Sequence, residues 1–119
     1  MRIGTAVLAY NRPKHFKKVI EGIIKEKVKN ISVYIDGPEN SIIEREQSKI
    51  ISYIKKFKKK ISIKLIRQNK NHGLAFSVLN AIKTEFKTND AIILIEDDCV
   101  PQKGFFKFIY KSLKKYKNE

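Results

Sequence analysis

Glu96, Asp97 and Asp98 follow directly on the apolar run Ala91-Ile92-Ile93-Leu94-Ile95 and precede Cys99-Val100-Pro101. Adjacent carboxylates repel one another, and at the end of a buried strand they also lose hydration, so they call for a compensating cation. Hard divalent ions take oxygen ligands of this kind, and Mg²⁺ or Mn²⁺ commonly brings substrate phosphates with it. The competing reading is that the acids punctuate a surface turn or cap the next helix. Three other clusters of polar residues end apolar runs: Tyr10-Asn11-Arg12, Asp36-Gly37-Pro38 and Asn69-Lys70-Asn71-His72-Gly73. Together they offer carboxylates for a metal, basic groups for phosphate and acceptors for a base or ribose.

Something must bring these clusters together, and the apolar pattern says what. Runs rich in Ile, Val and Leu at Arg2–Ala9, Ile31–Ile35, Ile61–Arg67 and Ala91–Ile95 read as strands, the last as one buried on both faces. Between them apolar residues recur at helical spacing. Phe16, Val19, Ile20, Ile23 and Ile24 form one face behind Pro13, and Ile43, Ile50, Ile51, Ile54 and Phe57 form another. Ala75, Val78, Leu79, Ile82 and Phe86 form the cleanest face, and Phe105, Phe106, Ile109, Leu113 and Tyr116 follow Gly104. Four strand–helix repeats predict one domain over residues 1–119. Its class is an α/β/α sandwich in three layers on a parallel, Rossmann-like sheet in the order 3-2-1-4. In such a sheet all four polar clusters fall along one edge, where open α/β folds bind their ligands.

Composition excludes several classes. The 119 residues carry 42% hydrophobic side chains, enough for a small globular core. A single cysteine, Cys99, excludes an internal disulfide framework, fits a reducing compartment and reads as a small buried residue. The apolar stretch Ile3–Ala9 is too short for a membrane span and runs into a basic helix with no cleavage site. A cytoplasmic location is expected, with peripheral contact at the inner face of an anionic membrane. The net charge of +14 comes almost wholly from lysine and is densest at Lys55–Lys60. Such a field attracts polyanions without specificity. Specific nucleic-acid recognition is not expected, because the basic residues are nearly all lysine and the aromatics sit at helical spacing instead of on one stacking platform. His15 lies among lysines on the first helix and is expected to be exposed. Tyr10 suits either base stacking or packing, and Lys103 either the acids or a phosphate.

No G-x-G-x-x-G follows the first strand and no G-x-x-x-x-G-K-[ST] occurs anywhere, which excludes a dinucleotide fingerprint and a P-loop. A phosphoacceptor receiver would carry its acids after the first strand rather than the fourth.

The four segments AVLAYNRP, VYIDGP, NKNHGLAFSVLNAI and AIILIEDDCVP, in this order and spacing, resemble successive signatures of the GT-A-fold nucleotide-sugar glycosyltransferases. The likeness is to family 2-type enzymes and the N-acetylglucosaminyltransferase I-like group, whose metal motif is also Glu-Asp-Asp. It implies a metal-dependent transfer of sugar from a nucleotide diphosphate donor, a UDP-sugar by analogy, to a saccharide, glycolipid or glycoprotein hydroxyl. By resemblance Asn11 and Arg12 line the nucleotide pocket, and Asp36 accepts the base N–H. Asn71, His72 and Gly73 pass near ribose and sugar. Asp98 is the direct ligand of Mn²⁺ or Mg²⁺, while Glu96 and Asp97 reach ribose, sugar or metal-bound water. Inversion at the anomeric carbon is expected by the same analogy.

Members of that family continue past the metal motif into strands that bind acceptor and supply a general base. No base is identifiable here, since Glu119 is a chain end, so the expectation is a donor-binding N-terminal half. The alternative function is a non-catalytic basic binding protein for nucleic acid or anionic membrane, with its acids structural.

Overall fold

The computed structural model describes residues 1–117, and Glu119 lies outside the described residues. Strands and helices alternate as β1 (Ile3–Ala9), α1 (Pro13–Lys25), β2 (Asn30–Ile35), α2 (Ser41–Phe57), β3 (Ser62–Arg67), α3 (Leu74–Glu85), β4 (Ala91–Glu96) and α4 (Phe105–Tyr116). The sheet is parallel throughout, in the order β3-β2-β1-β4. Every strand predicted from the sequence is present to within one residue at each end. No helix among the described residues is long and apolar enough to cross a membrane.

Side chains alternate across the sheet, so each strand feeds two cores. Val7, Ala9, Val33, Ile35, Ile93 and Ile95 face α1, α2 and α4, where Phe16, Ile20, Ile23, Ile50, Ile54 and Phe106 close the larger core. Ala6, Leu8 and Tyr34 face the other way and meet α3 through Ala81. The helices therefore divide three to one, and that imbalance corrects two expectations. Strand β4 is not buried on both faces: Ile93 and Ile95 are buried, but Ile92 and Leu94 are only half-buried because a lone helix covers their side. The apolar face assigned to α3 is its contact face only in part, through Val78. Leu79 and Phe86 are exposed, and α3 instead buries Ala81 and Glu85.

The physical reason for the α3 rotation lies in β2. Tyr34 is buried against this face and its hydroxyl donates to Glu85 Oε2 at 2.6 Å, pushing the phenol well above its ordinary range through burial and the adjacent carboxylate. A buried hydroxyl and a buried carboxylate each need a partner, so their pairing outweighs the gain from burying one more leucine.

Local signals set the helix starts. Pro13 opens α1 at a position where a missing N–H costs nothing. Asn40 caps α2, its Oδ1 accepting from Ile43 N at 3.0 Å. Gly73 and Gly104 precede α3 and α4 with φ of 88° and 86°, a conformation that favours glycine. Behind α1, Val100 and Pro101 pass within 3.2 Å of where a Cβ on Gly22 would stand, so the segment after the acids is laid directly over that helix.

Candidate nucleotide and metal site

The register brings the carboxyl ends of β1, β2 and β4 level, with Leu8 beside Glu96 and Tyr34, and Ala9 beside Ile35. Beyond them opens a cavity of about 370 Å³ whose floor is Leu8, Ala9 and Tyr34 and whose rim is polar. Asn11, Arg12, Asp36, Asn71, Gly73, Glu96, Asp97 and Asp98 all line it. His72 is the exception among the residues that the resemblance assigned to the nucleotide or the metal. Its ring stacks on Phe76 at 4.4 Å, outside the cavity, and only its backbone takes part in the site.

Asp36 organises one wall. Its Oδ1 accepts from Gly37 N at 2.8 Å and His72 N at 2.9 Å, and its Oδ2 from Gly73 N at 2.9 Å and Asn71 Nδ2 at 3.2 Å. A carboxylate has about four acceptor positions, and here each has a donor. Asp36 thus fastens the β3–α3 loop to the end of β2, and a base N–H could reach it only by displacing one of these donors. Asn71 reinforces the junction by donating to Gly37 O at 2.9 Å and to Tyr10 Oη at 3.2 Å. Tyr10 in turn donates its hydroxyl to Glu39 Oε1 at 2.8 Å; desolvation, then Glu39, raises that phenol's pKa. From behind, buried Gln47 donates Nε2–H to the Asp36 carbonyl at 2.9 Å.

Gly37 makes this close approach possible. A Cβ there would overlap the Lys70 carbonyl and stand 2.6 Å from Asn71 N. Gly37→Ala is expected to push the β3–α3 loop off Asp36 and cost about 1–3 kcal/mol, as overpacking does. Thermal unfolding of this variant checks it, since an unchanged melting temperature would mean the loop yields without loss.

The acids of the opposite wall divide their work. Asp97 turns back toward β1, where its Oδ2 accepts from Tyr10 N at 3.3 Å. Burial pushes its carboxyl above the ordinary carboxylate range, against the opposing pull of that N–H and of Arg12. Glu96 and Asp98 point outward with Cys99, and ligand atoms of the three lie within 4.8 Å of one another. Arg12 Nη1 stands 3.6 Å from Asp98 Oδ2, with both side chains about half exposed, so the pair contributes little to stability and marks where a cation is welcome. Cys99 is exposed rather than buried as expected. Its thiol donates to Asp98 Oδ1 at 3.4 Å, and that carboxylate pushes the thiol pKa up. Lys103 makes no ion pair among the described residues, and the cation paired with the acids is Arg12.

Glu39, Gln47 and Ser77 belong to this site and were not singled out from the sequence. Gln47 carried a signal, because Ile43, Gln47, Ile50 and Ile54 share one helical face and a polar residue there needs a buried partner. Glu39 carried none: nothing in Gly37-Pro38-Glu39 shows that its side chain meets Tyr10.

No protein-family model matches the chain, and no curated protein matches it in sequence. Among solved structures, it resembles the mannosyltransferase PcManGT from Pyrobaculum calidifontis in complex with GDP-Man and Mn²⁺. The TM-score is 0.72 at 14% identity, over 94% of this chain and 32% of the other. At that identity the likeness establishes the fold, a four-stranded parallel sheet of the kind that a glycosyltransferase carries. The chain spans about a third of that enzyme's length.

Proposed function

We propose that this chain is the donor-binding part of a metal-dependent nucleotide-sugar glycosyltransferase of GT-A type. The observation that carries the reading is the convergence of Asn11, Arg12, Asp36, Asn71, Gly73 and the Glu96–Asp98 acids on one cavity at the carboxyl edge of the sheet. An apolar floor with few convergent polar groups at that edge is what a nucleotide ligand requires.

The donor set fits a hard divalent ion. Two outward carboxylates, Glu96 and Asp98, offer hard oxygen ligands on an exposed wall with only one sulfur beside them, a set that suits Mg²⁺ or Mn²⁺. Bound there, the ion would supply Lewis-acid stabilisation to the charge developing on a leaving diphosphate. The chain's own residues do the rest. Arg12 lies at the phosphate end of the cavity and adds a fixed positive charge. The start of α3 has no side-chain cap, and its residues Gly73, Leu74 and Ser77 line the cavity. Tyr10 and Tyr34 border the apolar floor against which a base can lie, and Asp36 holds the loop that covers it.

The donor nucleotide is a uridine diphosphate by family analogy, and the GDP-Man bound by the structural neighbour makes the guanosine diphosphate the comparison to run. Differential scanning fluorimetry with UDP and with GDP, each with Mn²⁺ and with EDTA, tests the reading. A Mn²⁺-dependent rise in melting temperature with one of the two is expected, about 3 kcal/mol of apparent stabilisation at a hundredfold excess over Kd. No rise with either overturns it.

A further inference from the structure

The connections at the two edges of the sheet carry opposite charge. In a parallel sheet the carboxyl edge collects the loops after the strands, and the other edge collects the turns after the helices. The first holds the acids already described. The second holds Lys27 and Lys29 after α1, and Lys58, Lys59 and Lys60 at the end of α2, opposed only by Glu26 among these two turns. Lys27, Lys29, Lys58 and Lys60 rim a single open groove of about 650 Å³, floored by Ile24, Val28, Ile61 and Ile63. None of the four makes an ion pair among the described residues.

Helix dipoles do not account for this cluster. They favour cations in a helix's last turn, and Lys25 in α1 and Lys55 and Lys56 in α2 already occupy those turns. Lys27, Lys29 and Lys60 lie beyond. Lys27 also adopts φ of 61°, the one left-handed non-glycine residue among those described, at a helix exit where glycine is the unstrained choice. Its side chain is kept at a conformational cost.

We propose that this edge docks on an anionic lipid bilayer. Lysines with apolar stems around half-buried Ile24 and Val28 match a charged headgroup layer over hydrocarbon. The groove offers no arginine for bidentate phosphate contact and no aromatic ring for a base, so nucleic acid is the poorer match. Docked this way, the chain turns its acidic cavity to the aqueous side. The inference stands independently of the donor reading, since the two sites lie on opposite edges.

The test compares two charge reversals of equal size in the full chain. One changes Lys27, Lys29, Lys58 and Lys60 to Glu; the other changes Lys14, Lys18, Lys107 and Lys111, all exposed on α1 and α4. Sedimentation with vesicles of phosphatidylcholine and phosphatidylglycerol is expected to show at least about a hundredfold weaker partition for the first set, each lysine near a charged leaflet being worth about fivefold. The second set should lose much less. Equal losses would mean a diffuse field and overturn the proposal. So would a groove variant that keeps vesicle binding while losing duplex DNA. Should the groove variant fail to fold, acetylation footprinting of the unaltered protein decides the matter: protection of Lys27, Lys29, Lys58 and Lys60 by vesicles supports docking, and protection no greater than at Lys14 and Lys107 overturns it.

Discussion

Asp98→Ala is expected to abolish the Mn²⁺-dependent part of nucleoside diphosphate binding, leaving the affinity in Mn²⁺ equal to that in EDTA. Of the three acids, Asp97 is engaged by Tyr10 N, which leaves Glu96 and Asp98 facing outward, and Asp98 is the one that also meets Arg12. With Asp98 gone, one protein carboxylate remains, and Mg²⁺ or Mn²⁺ falls back on water. Losing even an outer-sphere partner typically costs 10–100-fold in metal affinity, so losing a direct ligand should cost on the order of 100-fold or more. Titration calorimetry of the variant with Mn²⁺ and with EDTA measures this. A Mn²⁺-dependent affinity that survives the change would move the metal away from the acidic triplet and remove the main physical support for a glycosyltransferase. Asp97→Ala serves as the contrast, since it should act on the β1–β4 junction with a smaller effect on the metal.

The second large effect is expected at Asp36. Asp36→Ala strands the amides of Gly37, His72 and Gly73 and frees Asn71 from one of its acceptors. A buried donor left unmatched costs about 1–3 kcal/mol. Asp36 is only part-buried, water can reach the loop, and about 2 kcal/mol is the discounted figure, near the net worth of a charged hydrogen bond. That corresponds to a melting temperature lower by roughly 8 °C for a chain of this size. Under the proposed function the loop would meet the nucleotide without the metal's help, so nucleotide affinity should fall about tenfold or more, equally in Mn²⁺ and in EDTA. Melting without nucleotide separates two roles. A carboxylate that only contacts the base would leave the ligand-free melting temperature unchanged, whereas one that fastens the loop lowers it.

These two carboxylates show how far the residues alone could be read. The acidic triplet was legible because three adjacent carboxylates directly after an apolar strand repel one another and call for a cation. Which member turns inward was not legible. Asp97 faces β1 because Glu96 ends β4 level with Leu8, so the next side chain meets Tyr10 N, a matter of register between segments some eighty residues apart. Asp36 was legible as a site residue, but its role in fastening the loop was not, since three of its four donors come from a segment more than thirty positions away.

Helix α3 marks the same boundary from the other side. Its apolar residues cover a broad arc, so periodicity could not say which part of that arc faces the sheet, and Leu79 and Phe86 at its edge proved exposed. A buried tyrosine on β2 selected Glu85 and Ala81 instead.

By itself, then, the sequence determined the alternation of strands and helices, the parallel order of the sheet and the edge at which the polar clusters meet. These follow from periodicity and the handedness of crossover connections, which are local or nearly so. The tertiary structure alone decided the three-to-one division of helices, the rotation of α3, the fastening of the loop by Asp36 and the separation of Asp97 from Glu96 and Asp98. Each of those depends on which buried donor finds which acceptor across the fold, and no spacing along the chain encodes that distance.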